Sequence, residues 1–132
     1  MQLFYGENMY GIHSIEYNGL TDYFYLFHIY DHRSAFLPWD DVTLIAKDYR
    51  FTTVPVRWRG TLKYPTELHL KLTKLMEEGS ALGDTVEGFV VRPTRGFGYG
   101  QGVCRLIAKY VRADHVQSDK HWIRNWQKAK LL

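Results

Sequence analysis

Cysteine is nearly absent from this chain. Cys104 stands alone among 132 residues, so no internal disulfide and no cysteine-based zinc cluster can form. No apolar run approaches the roughly 20 residues of a membrane-spanning helix. The opening residues, Met1-Gln2-Leu3-Phe4-Tyr5-Gly6-Glu7, lack the basic start and long apolar core of a secretory signal. A cytoplasmic protein with no membrane partner is expected. Internal repeats and low-complexity segments are missing as well. A large excess of one charge is missing: 17 Lys and Arg stand against 14 Asp and Glu, a net charge of +3, which permits a nucleic-acid or nucleotide partner without demanding one. Apolar and aromatic residues are plentiful, at 45% hydrophobic and 16% aromatic, with ten Tyr and four Trp. Such a chain can bury a core and present flat rings to a ligand. Its length suits a single domain, residues 1–132.

The apolar pattern predicts an α+β fold with a mostly antiparallel sheet and a few helices. Leu3 to Tyr5 reads as a strand stopped by the polar turn Gly6-Glu7-Asn8. Tyr23 to Tyr30 is aromatic or branched almost throughout, so it reads as a strand covered on both faces. Pro38 to Asp48 reads as a helix, with Asp40 and Asp41 in its positive first turn. Thr53 to Trp58 reads as an edge strand interrupted by Pro55. Pro65 to Glu78 is the clearest helix: Leu68, Leu72, Leu75 and Met76 share a face, and Gly79 follows as the cap. Glycines at 96, 98, 100 and 102 predict a flexible connection. Arg105 to Arg112 reads as a strand, and the tail from Ser118 to Lys128 as a helix with a basic outer face.

The chemistry concentrates in Glu87-Gly88-Phe89-Val90-Val91-Arg92, a short apolar strand with a charge at each end. A carboxylate there is costly to bury unless it meets a cation, a metal or hydrogen-bond donors. The glycine beside it lets a ligand or another backbone approach. A solvated edge strand explains the same residues, as does the wall of a charged-ligand pocket. Glu7 repeats the arrangement, an acid beside Gly6 at the end of a strand. Lys109 sits among apolar neighbours, where it either snorkels to the surface or points at an anion. With Phe27, these make a set able to stack a base, hold a ribose or a divalent metal, and neutralise a phosphate.

In that order along the chain, the set resembles the nucleotidyltransferase domain of the ATP-dependent RNA ligases, part of the covalent nucleotidyltransferase superfamily with an ATP-grasp-like ligase fold. Gly6-Glu7-Asn8 resembles the family's ribose-contacting Gly-Glu element. Tyr25-Leu26-Phe27-His28-Ile29-Tyr30-Asp31 resembles motif III, whose aromatic stacks on adenine. Glu87 to Arg92 resembles motif IV, whose acid is tied to metal binding and catalysis. Ala108-Lys109-Tyr110-Val111-Arg112 resembles motif V, whose lysine contacts the α-phosphate. The resemblance implies ATP or AMP and Mg2+ as cofactors and RNA ends as partners. It implies catalytic roles for Glu87 (also the metal ligand) and Lys109, and nucleotide contacts for Glu7, Phe27, His28 and Arg92.

Three departures accompany it. The 132 residues hold no Lys-x-Asp-Gly, the motif I element whose lysine carries AMP, so the domain is expected to be N-terminally short. The lysine would then come from a missing N-terminal segment or a separate polypeptide. His28 stands where motif III has Asp, and imidazole does not replace a carboxylate as acceptor or ligand. His28 reads as a packed core histidine, as a site residue, or as part of a metal site with Asp31 and His32. Motif V keeps one lysine, Lys109 flanked by Ile107 and Val111 where many relatives have a second lysine two residues away, so Arg105 or Arg112 is the candidate to compensate. A shortened domain also predicts an exposed sheet edge and a homodimer formed through it. The expected activity is joining a 5′-phosphate, as its 5′-adenylate, to a 3′-hydroxyl, without self-adenylylation by this chain alone. The alternative is a non-catalytic module that holds nucleotide or RNA.

Overall fold

A computed structural model describes residues 1–13, 15–33, 35–98, 100, 102–113 and 126–132, with the backbone alone at 103 and 104. It is an α+β fold. In chain order its elements are β1 (Leu3–Asn8), β2 (Gly11–Ile12), β3 (Phe24–Tyr30), β4 (Ala35–Phe36), α1 (Trp39–Tyr49) and β5 (Thr52–Thr53). There follow α2 (Pro65–Glu78), β6 (Gly88–Val91), β7 (Phe97–Gly98), the one-turn α3 (Val103–Leu106), β8 (Ala108–Val111) and β9 (Gln127–Lys128). No helix among the described residues is long and apolar enough to cross a membrane. The contacts divide the chain into two compact units. One comprises Met1–Tyr10, Asp22–Val54 and Val90–Lys109; the other comprises Gly11–Thr21, Pro55–Phe89 and Tyr110–Leu132.

The first unit is built on β3. This strand pairs antiparallel with β1 and β4 and parallel with β5, and β4 pairs antiparallel with β7. The expected cover on both faces is present: Tyr25, Leu26, His28 and Ile29 are all buried. Leu26 and Ile29 pack with Trp39, Val42 and Ala46 of α1, and Phe4, Phe24, Leu37, Ile45 and Val54 close around them. Full burial of each such side chain contributes about 1.5–3 kcal/mol. The helix begins one residue later than the sequence suggests, because Pro38 is its extended N-cap (φ −54°, ψ 149°). It ends on Arg50 in the left-handed region, φ 59°, whose N–H bonds back to the Lys47 carbonyl.

In the second unit α2 spans the predicted 65–78, with Pro65 in its first turn and Gly79 (φ 81°) after its last. Its buried residues, Leu72 and Leu75, belong to the predicted apolar face. Leu20, Val86 and Ala129 are the other buried apolar side chains described there. The Gly19 N–H donates to the Leu82 carbonyl and the Leu132 N–H to the Leu20 carbonyl, both at 2.8 Å.

Four local expectations are corrected. Gly6-Glu7-Asn8 is not a turn that stops the first strand: it continues β1 past a register shift and pairs with Leu26, Tyr25 and Phe24. Strand structure after α1 stops at Thr53, before Pro55, since Pro55 has no N–H for a ladder. The expected strand 105–112 is divided, with Arg105 and Leu106 in α3 and only Ala108–Val111 in β8. The expected tail helix, 118–128, lies mostly at residues 118–125, outside the described residues. Its last part is a strand instead: Gln127 and Lys128 pair with Ile12 and Gly11.

Candidate functional site

Both glycines beside the candidate acids turn out to face backbone. A Cβ on Gly6 would lie 2.7 Å from the Tyr25 carbonyl and 2.3 Å from the Phe24 ring, at the register shift between Tyr5 and Gly6. One on Gly88 would lie 2.2 Å from the Tyr110 carbonyl. In each case the missing side chain lets two strands close up, which sets where the next acid stands. Glu7 is exposed on β1, opposite Tyr25. Glu87 is half-buried just before β6, and its carbonyl accepts the Arg112 N–H at 3.2 Å. Arg112 is half-buried, whereas Arg105 and Lys109 are exposed.

The first unit brings three of the predicted residues together. Phe27 and His28 are neighbours on β3, with rings edge-to-face at 5.1 Å. The Arg92 guanidinium reaches both. Its Nη1 donates to the Phe27 carbonyl at 2.8 Å and also meets His28 Nδ1. Its Nη2 donates to the Leu37 carbonyl at 3.2 Å, and its Nε to that of Pro93 at 3.2 Å. The guanidinium carbon stands 5.5 Å from the Trp39 ring centre and 5.8 Å from that of Phe97. Planar geometry lets one arginine satisfy several carbonyls while lying against aromatic faces. Leu37 and Phe97 were not singled out by sequence, because only the β3–β4–β7 pairing puts them around Arg92, and Trp39 reads there only as part of the apolar stripe of α1.

The electrostatics follow. Burial first, and the Arg92 charge second, push the His28 imidazole down to about 4. His28 is therefore neutral near pH 7. Since Arg92 has only donors, Nδ1 must be the acceptor and the proton sits on Nε2. Only 8% of His28 is exposed, and Phe36 flanks its ring at 5.5 Å. Phe27 stays half-buried, its backbone held from below by Arg92. Among the described residues no group of three or more His, Cys, Asp or Glu could hold a metal ion, and His28 is committed to Arg92.

A family model for RNA ligase matches residues 2–111. The chain belongs to the RNA ligase family. No curated protein and no solved structure matches it significantly. The matched span of this ligase-family chain takes in Glu7, Phe27, His28, Glu87, Arg92, Arg105 and Lys109, and ends one residue before Arg112.

Proposed function

We propose that this chain acts on RNA 5′ ends that already carry adenylate, joining the 5′-phosphate to a 3′-hydroxyl with release of AMP in the presence of Mg2+. One observation carries the reading: the family match over residues 2–111 spans the first three motif-like elements and all of the fourth but Arg112. The roles are those the resemblance implies. Phe27 stacks on adenine, Glu7 meets the ribose and Lys109 meets the phosphate that links adenylate to RNA. The half-burial of Phe27 and the exposure of Glu7 and Lys109 support this, because a ligand must reach these groups. Arg92 and His28 act through Phe27. Every guanidinium nitrogen of Arg92 faces a protein acceptor, so its contribution is to fix the backbone under the stacking ring.

Mg2+ binds through one or two carboxylates, substrate phosphates and water rather than through a protein cage. A single acid such as Glu87 fits that mode when phosphate is present. The ion would offset charge as the phosphate bond to AMP breaks. Arg105 and Arg112 are the candidates to supply the cation missing from the second motif V position. The 132 residues hold no Lys-x-Asp-Gly, so a motif I lysine, where self-adenylylation occurs, would come from another segment or polypeptide.

A second reading, a module that holds nucleotide or RNA without sealing, is favoured by His28. The position that carries the motif III acid is here a buried neutral ring bound to Arg92. Sealing of pre-adenylylated RNA by the wild-type chain, compared with Glu87→Ala and Lys109→Ala, separates the two. Joined product lost in both variants supports the ligase reading, and RNA binding with no product supports the module.

A further inference from the structure

The 55–64 segment carries no regular structure, yet it is strapped to α2 at both ends. At one end Arg57 Nη1 donates to the Gly79 carbonyl, and Nη2 stands 3.5 Å from Glu78 Oε2. At the other, the Glu67 carboxylate accepts the N–H groups of Lys63 (2.7 Å) and Tyr64 (3.0 Å). Between the straps lies Trp58. Lys71 Nζ stands 5.4 Å from its ring centre. A Cβ on Gly60 would be 2.6 Å from its Cζ2, so glycine is what lets the loop close over the indole. The ring is held, and 39% of Trp58 is still exposed.

The charge around it is mainly positive. Residues 55–78 carry Arg57, Arg59, Lys63, Lys71 and Lys74 against Glu67, Glu77 and Glu78. Glu67 is occupied in capping α2, and Glu78 stands beside Arg57, which anchors the loop. Lys71 and Lys74 are three residues apart on α2 and so share a flank. Lys63 precedes the helix, beside Tyr64, which is 64% exposed. A held, half-open indole with flexible cations next to it is what a single-stranded nucleic acid needs: a ring for a base and ammonium groups for the phosphates.

We propose that Trp58, with Lys63, Lys71 and Lys74, is a docking platform for single-stranded RNA, built from residues outside the motif-like elements but next to one of them, since Arg57 of the same loop stands 6.0 Å from the Phe89 ring. This rests on the reading that the chain binds RNA. The test is fluorescence anisotropy with a labelled 5′-phosphorylated single-stranded RNA of about 12 nucleotides, measured across a salt series. Trp58→Ala should weaken binding roughly tenfold, the loss of one stacked base. Lys63→Gln with Lys74→Gln, changes at two exposed side chains, should flatten the slope of log K against log salt by about 1.4, the value for two released phosphate contacts. If wild type binds and both variants bind equally well with the same slope, the platform is overturned while the ligase reading stands. If wild type binds no RNA at all, the functional reading falls and takes the platform with it.

Discussion

At the residue scale, Arg92 is the single side chain on which most depends. It satisfies the carbonyls of Phe27 and Leu37 and the Nδ1 of His28 at once. Arg92→Met would leave those acceptors buried and unpaired, at a cost of about 3 kcal/mol. A urea midpoint unchanged from wild type would contradict this. His28 gives a pH signature. Its folded value, about 4, lies below the ordinary 6.5, so between these values the unfolded chain binds a proton that the folded chain refuses. The stability tied to neutral His28 is complete above about pH 6.5 and is lost as pH falls toward 4, on the order of 2–3 kcal/mol. His28→Gln should lack that slope. Parallel pH–stability curves for the two proteins would show that His28 is not held neutral.

At the element scale, the strand pairs depend on two glycines and the helices on their ends. Gly88→Ala would push a Cβ to 2.2 Å from a backbone oxygen, which the strand cannot relieve without moving. A loss of about 2 kcal/mol or more is expected, read as a lower thermal midpoint. Arg50→Gly should instead stabilise by up to about 1 kcal/mol, because Arg50 occupies the left-handed region that glycine enters freely. The elements legible in sequence are those whose signals are local. Pro65, Gly79 and the Leu72–Leu75 stripe delimit α2, and the aromatic run delimits β3. The illegible ones depend on distant partners. Gln127 and Lys128 are a strand because Gly11 and Ile12 lie beside them, and nothing in the tail's own pattern says so. The site divides in the same way. The motif residues could be picked out one by one, whereas the burial of His28 and the embedding of Arg92 between Trp39 and Phe97 required the sheet order.

At the scale of the whole molecule, β1 ends its sheet among the described residues, with Leu3 and Tyr5 well exposed. Pairing of this edge with a second copy is the association to look for. Light scattering at high concentration should show dimer, and a clean monomer would remove the idea. The larger question is whether an RNA-ligase family chain with His28 in place of the motif III acid still seals RNA. The direct measurement is joining of a pre-adenylylated RNA strand to a 3′-hydroxyl acceptor with Mg2+, beside Glu87→Ala and Lys109→Ala. The account predicts joined product with release of AMP from the wild-type chain, and loss of at least about 100-fold in each variant. A wild-type chain that binds the adenylylated strand and never joins it would contradict the account.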